Sequence, residues 1–140
     1  MFLLDTCSLL WLSLDQTQLS RNAFSAIEGE KAGLFKNNKD LFGNDLFVSA
    51  ISAFEIAIKF HKGSLVLPLV PRQWFKRVVE LHGLTVLPVD YGIYINSVEL
   101  PKIHLDPADR IIIATALEYN LKIITPDKHI RQYEVVKTIW

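Results

Sequence analysis

The chain has 140 residues, half of them hydrophobic, and its Lys and Arg balance its Asp and Glu to give zero formal charge. This length and composition predict one globular domain, residues 1–140, folding without disulfides or a structural metal, and exclude a disordered or fibrous chain. Zero net charge means that any contact with nucleic acid must use a local basic patch, and the only cysteine, Cys7, excludes an intrachain disulfide and fits a reducing, cytoplasmic setting.

Phe2-Leu3-Leu4 is a short apolar run ending on Asp5, followed by the apolar Ser8–Leu12, which is how a buried parallel strand feeding a helix reads. The run is too short for a signal segment, and no later apolar stretch is long enough to span a bilayer, so no membrane partner is expected. Ser20 is placed to cap a second helix running to about Ile27, and Gly33 to Asp45 reads as a helix end and polar surface loop. Leu46-Phe47-Val48 is the next strand, and Ile51, Phe54, Ala57 and Ile58 mark the apolar face of a helix that Gly63 ends.

Ser64–Pro68 reads as an extended connector before a helix from Pro71 to His82-Gly83. Leu84–Leu87 is a third strand, with a helix from about Asp90 to Leu100. The strongest helix signal spans Asp106 to Asn120, with Asp106 at the N-cap, Pro107 at the first helical position and Ile111–Leu117 apolar nearly all round. Lys122–Thr125 is a fourth strand ending at Pro126-Asp127, and Val135–Ile139 a fifth. Alternation of this kind predicts an α/β fold, a mainly parallel sheet of about five strands with helices on both faces.

In open parallel sheets, ligands bind outside the carboxyl ends of the strands. Asp5 follows strand one, Asp127 follows strand four, Glu55 lies early in the helix after strand two, and Asp109 lies in the first turn of the helix feeding strand four. All four are therefore expected to converge. Two carboxylates about 4 Å apart repel by roughly 4 kcal/mol at an effective dielectric near 20, so such a cluster calls for protons or a divalent cation. A hard ion with oxygen ligands, Mg2+ or Mn2+, is the natural occupant.

Leu4-Asp5-Thr6, Val48-Ser49-Ala50 leading to Glu55–Lys59, Gly63–Pro68, His104–Arg110 with Ile113–Ala116, and Thr125-Pro126-Asp127 stand in an order that resembles PIN-domain toxins of the VapC type, from the first residues to Trp140. The resemblance implies that Asp5, Glu55, Asp109 and Asp127 form an acidic metal site, Asp5 and Asp109 as direct ligands, with Thr6 and Thr125 as polar neighbours. It implies hydrolysis of an RNA phosphodiester by a metal-activated water. It also implies a cognate antitoxin that blocks the site, a homodimer, and contact with DNA only through the antitoxin. Cys7 stands where relatives often have histidine, Phe54 where many have tryptophan, and the Gly33–Asp45 loop is longer than usual.

Structural readings compete residue by residue. Ser52-x-x-Glu55 fits a capping box, Asp109 sits where a negative charge suits the helix dipole, and Asp127 after Pro126 suits a turn. Asp5 is harder to explain structurally, since a carboxylate directly after a buried strand has little packing purpose. Asp106 is assigned the cap and Asp109 the site. The four histidines, His61, His82, His104 and His129, are scattered without helical ligand spacing, which argues against zinc. Cys7 reads as a small buried residue. Among the basic residues, Lys59, four beyond Glu55, and Arg110, beside Asp109, are the best candidates for phosphate contacts.

Three other classes compete with this reading. A haloacid-dehalogenase-type phosphatase also places a nucleophilic Asp after strand one, but it needs a second Asp where this chain has Cys7. A receiver domain needs an acidic pair near the end of strand one and a phosphoacceptor Asp on a central strand, and neither is evident. A non-catalytic PIN scaffold is expected to lose acidic positions, and this chain keeps all four.

Overall fold

The computed structural model describes residues 1–31 and 45–140. The expected loop from Gly33 therefore lies outside the described residues. Strand β1 (Phe2–Leu4) is buried throughout and leads through Asp5 into α1 (Thr6–Leu14). Helix α2 (Arg21–Lys31) opens on Ser20, whose hydroxyl accepts from the Ala23 amide at 3.1 Å, as expected of an N-cap. It runs a turn past Ile27 because Glu30, an unlikely residue for an apolar face, is buried and paired with the Met1 amino group at 2.8 Å.

Strand β2 (Leu46–Ser49) feeds α3 (Ala50–His61), which ends as the sequence predicts. Gly63 takes φ +76°, a left-handed conformation that glycine adopts without a Cβ penalty. There its amide bonds the Phe60 carbonyl at 3.0 Å and the Ser64 amide bonds the Lys59 carbonyl at 3.0 Å, closing a Schellman motif. Helix α4 (Pro71–His82) has proline in its first turn and left-handed Gly83 at its end. Strand β3 (Thr85–Leu87), α5 (Tyr91–Glu99), α6 (Pro107–Glu118), β4 (Lys122–Ile124) and β5 (Thr138–Ile139) complete the order. The fifth strand is shorter than expected, because a 3-10 turn at Ile130–Gln132 and the packing of Tyr133 and Val136 occupy the chain before it.

The sheet runs β3-β2-β1-β4-β5 with every pair parallel. Side chains alternate across it. Leu4, Val48 and Ile124 face a core with Leu9, Leu12, Ile27 and Trp74, while Leu3 and Ile123 face another with Ile93, Ile112 and Ile113. Helices thus cover both faces, so the central strand β1 is buried on two sides and its sequence is continuously apolar, while the edge strands β3 and β5 are partly exposed.

The strand order places the site. After β1 the chain winds outward to β2 and β3, then returns to the other side of β1 for β4 and β5. The reversal falls at β1, the switch point where such sheets open a crevice at the strands' carboxyl ends. Register pairs Leu4 with both Val48 and Ile124, so Asp5 and Thr125 emerge side by side at that edge.

Candidate active site

Asp5 is buried, 3% exposed, at the end of the central strand. Its Oδ1 accepts from the Ser8 amide at 2.7 Å, making it the N-cap of α1, and its Oδ2 accepts from the Thr125 hydroxyl at 2.5 Å. The view that a carboxylate here lacks a structural purpose is thereby corrected: the helix begins at Thr6, and Asp5 satisfies one of its free amides, that of Ser8. Burial pushes the Asp5 carboxyl up to about 6, against the lowering hydrogen bonds from Thr125 and Ser8 and with a further rise from the Asp127 charge.

Thr6 reaches across to α3. Its hydroxyl donates to Glu55 Oε1 at 2.6 Å and lies 3.0 Å from the Ser52 hydroxyl. A carboxylate only accepts, so with its one hydrogen given to Glu55, Thr6 accepts from Ser52. The capping-box reading of Ser52 and Glu55 does not hold. Helix α3 opens at Ala50 with Ser49 as N-cap, which leaves Glu55 in the second turn with its side chain free to face Thr6.

Asp106 caps α6 as expected, its Oδ1 accepting from the Ala108 amide at 2.9 Å and the Asp109 amide at 3.2 Å. Asp109 is pushed up to about 7 by burial and then by the Asp106, Asp127 and Glu55 charges, with His104 pulling the other way. Asp127 is half-buried. Its amide donates to the Thr125 hydroxyl at 3.0 Å, and its Oδ1 accepts from the His129 amide at 2.6 Å, which fixes the turn after β4.

These four carboxylates share one electrostatic field. Asp127 acts on both Asp5 and Asp109, and Glu55 acts on Asp109. Cys7, half-buried at the margin, is pushed up to about 11 by burial and by Asp5, Asp127 and Glu55, with only Lys59 opposing them. Lys59 is the one expected phosphate contact that stands at the site, its Nζ 3.8 Å from Glu55 Oε2 and its side chain half-exposed. Carboxylate and hydroxyl oxygens predominate, and two carboxyls, Asp5 and Asp109, are held above their ordinary range chiefly by burial, with the charges of neighbouring carboxylates adding to it. A hard divalent cation fits this donor set, because it would offset the repulsion that protons otherwise offset.

Arg110 requires a correction. It is buried and faces away from the carboxylates, its guanidinium donating to the carbonyls of Ser97, Val98, Leu100, Pro101 and His104 and to the Tyr133 hydroxyl. Every N–H is used inside the protein, so none is left for phosphate.

The histidines are not all scattered either. His104 and His129 stack with ring centroids 4.4 Å apart and planes 19° apart, and His104 Nε2 lies 3.0 Å from Asp109 Oδ2. One donor atom each from His104, Asp106 and Asp109 fall within 4.8 Å of one another. Sequence reasoning missed this pair. His104 lies five residues before Asp109, but only the packing of α6 against β4 and the turn after it brings His129 to it.

The profile of the PIN domain matches residues 2–136. Ribonuclease VapC22 of Mycobacterium tuberculosis is 30% identical over 141 residues, covering 99% of this chain and 97% of the relative. Among solved structures, a toxin-antitoxin complex from Klebsiella pneumoniae superposes with TM-score 0.61 at 21% identity, covering 100% of this chain and 97% of that one. VapBC2 from Rickettsia felis, bound to a DNA fragment from its promoter, superposes with TM-score 0.65 at 12% identity, covering 99% and 96%.

Proposed function

The chain belongs to the PIN-domain family, and from that premise we propose that it is a Mg2+-dependent endoribonuclease, Mn2+ serving in place of Mg2+, and the toxin of a toxin–antitoxin pair. The observation that carries the reading is the gathering of Asp5, Glu55, Asp109 and Asp127 into one field at the switch point of the sheet. The curated relative is a ribonuclease by name, and it aligns over nearly all of both chains.

In this reading Asp5 and Asp109 hold the cation, and Glu55 and Asp127 orient the waters around it. When bound, the ion supplies charge stabilisation at the scissile phosphate and a water made acidic enough to attack at neutral pH. The chain's own part is positioning. Thr125 fixes the Asp5 carboxylate, Thr6 fixes Glu55, and the α1 and α6 caps hold the two direct ligands at helix N-termini. Lys59, half-exposed beside Glu55, offers the cationic end that approaches an RNA phosphate, in keeping with a chain of zero net charge.

A protein partner is part of the proposal. Phe54, Tyr91, Tyr94, Ile95 and Val98 are exposed on α3 and α5, and such apolar surface is suited to an interface. Two of the structural relatives are toxin-antitoxin assemblies, one of them bound to DNA. A homodimer that pairs with an antitoxin, and meets DNA only through it, follows as the assembly. No helix among the described residues is long and apolar enough to cross a membrane, and the cytoplasm is the proposed location.

The test is cleavage of a labelled, loop-containing RNA by the purified protein. Cutting is expected with Mg2+ or Mn2+ and not in excess EDTA, and Asp109→Asn is expected to abolish it. Undiminished cutting in EDTA would overturn the proposal.

A further inference from the structure

We propose that His104 is a positioning residue for Asp109, held by a buried Arg110–Tyr133 clamp, and that through it the protein sets the affinity of its metal centre. The inference rests on the reading of Asp109 as a metal ligand. It begins from a feature that the nuclease reading leaves unused: a fully engaged guanidinium, one residue from that ligand, pointing the opposite way.

Arg110 gathers the end of α5 and the connector after it onto a single charge. It donates to Ser97, Val98 and Leu100 on one side and to Pro101 and His104 on the other, at 2.7–3.1 Å. Hydrogen bonds from an ionised donor are about twice as strong as neutral ones, so the connector has little freedom. Tyr133, 1% exposed, completes the hold on one residue. Its hydroxyl donates to the His104 carbonyl at 2.9 Å and accepts from the His104 amide at 3.1 Å, while Arg110 Nη1 binds both that carbonyl and that hydroxyl. Both backbone polar groups of His104 are thereby fixed to buried atoms.

The side chain is fixed as well. The His129 ring lies against one face of the imidazole, and Nε2 meets Asp109 Oδ2 at 3.0 Å. As a metal ligand Asp109 is ionised, and an ionised carboxylate only accepts, so in that state Nε2 carries the hydrogen and donates it. The bond uses Oδ2 and leaves Oδ1 for a cation. His129 links the same device to the second carboxylate, since its backbone amide donates to Asp127 Oδ1 at 2.6 Å. One stacked pair therefore steadies two acidic side chains, Asp109 in the first turn of α6 and Asp127 after β4. Outer groups that orient a metal ligand typically set affinity by 10–100-fold.

The experiment measures Mn2+ binding calorimetrically, without RNA, for the full chain and three variants, with thermal midpoints in EDTA alongside. Asp109→Asn marks binding at this centre. His104→Ala is expected to raise Kd at least about tenfold while the EDTA midpoint stays close to that of the parent. His104→Gln, whose amide reaches as far as Nε2, is expected to restore most of the affinity. Tyr133→Phe, which frees the His104 amide and leaves its carbonyl to Arg110 alone, is expected to weaken binding in the same direction as His104→Ala.

Unchanged affinity in His104→Ala would overturn the proposal, as would equal loss in the Ala and Gln variants. Nitrogen coupling on protein-bound Mn2+ that disappears in His104→Ala would also overturn it, because His104 would then be a direct ligand. A parent chain that binds no Mn2+ would do the same. Because no RNA is present, a protein that binds Mn2+ in this His104-dependent way yet leaves RNA intact would refute the nuclease reading alone. Normal RNA cutting with unchanged Mn2+ affinity in His104→Ala would refute this inference alone.

Discussion

Asp5→Asn should make the metal-free protein more stable, and the size of the gain can be worked from its surroundings. Burial raises the carboxyl from 3.8 to about 6. At about 1.4 kcal/mol per pH unit, the ionised form is therefore disfavoured by about 3 kcal/mol in the native state. The group's pKa is higher folded than unfolded, so the native state binds its proton more tightly. Its stabilising contribution is present below the unfolded value near 4 and is lost as pH rises through about 6. At pH 8 the whole penalty stands, and at pH 5 about half of it.

Asparagine keeps the Oδ1 that accepts from Ser8 but cannot accept from Thr125, which gives back about 1 kcal/mol. The net gain at pH 8 in EDTA is then about 2 kcal/mol, or roughly 6–8 °C in midpoint for a domain of this size. Thermal melts of parent and variant at pH 8 and pH 5, each in EDTA, check it. A variant that melts at or below the parent at pH 8, or a gap that does not shrink at pH 5, would refute the reasoning.

Mg2+ should raise the parent midpoint more at pH 8 than at pH 6, because Asp109, near 7, and Asp5, near 6, must lose protons to bind it; an equal rise at both pH values in a Mg2+ titration counts against this. Asp109→Asn should abolish RNA cleavage with the fold intact, whereas Asp106→Asn, an equally good cap, should do much less, and Asp106→Ala should cost about 0.5–2 kcal/mol of stability. Cleavage rates and midpoints of the three decide it, and reversed effects of the two Asn variants would exchange ligand and cap. Arg110→Lys should cost at least about 3 kcal/mol in urea unfolding, since a single ammonium leaves several of the clamped carbonyls without a donor; a loss under about 1 kcal/mol would mean that the clamp is dispensable.

Much of this was legible in the residues because the rules involved are local. An apolar run ending in a carboxylate, a Ser-led helix, an Asp-Pro cap and a glycine after an apolar stripe each carry their own geometry, and together they imply parallel strands with acidic residues at one end. The Asp106 cap was legible for the same reason, since a cap has fixed hydrogen bonds, whereas the placing of Asp109 at the site came from the family resemblance. Arg110 could not be read in this way. Successive helix residues point about 100° apart, so adjacency to Asp109 in sequence turned it toward α5 instead of the site. The His104–His129 stack was invisible for the opposite reason: its members are 25 residues apart, and only the packing of α6 on β4 and the turn after it joins them. Asp5 is a third case: it caps α1 and, in the proposed function, also holds the cation, so a structural role does not exclude a functional one.

The central claim is that four carboxylates from four separate segments make one catalytic centre. Single-turnover cleavage of one RNA at saturating Mg2+ by Asp5→Asn, Asp109→Asn and the double variant tests it most directly. Residues acting as a unit are grossly non-additive, so each single variant should lose at least about a hundredfold in rate and the double should fall no further than the worse single. Losses that multiply in the double variant, or a single variant that cuts at the parent rate, would contradict the account.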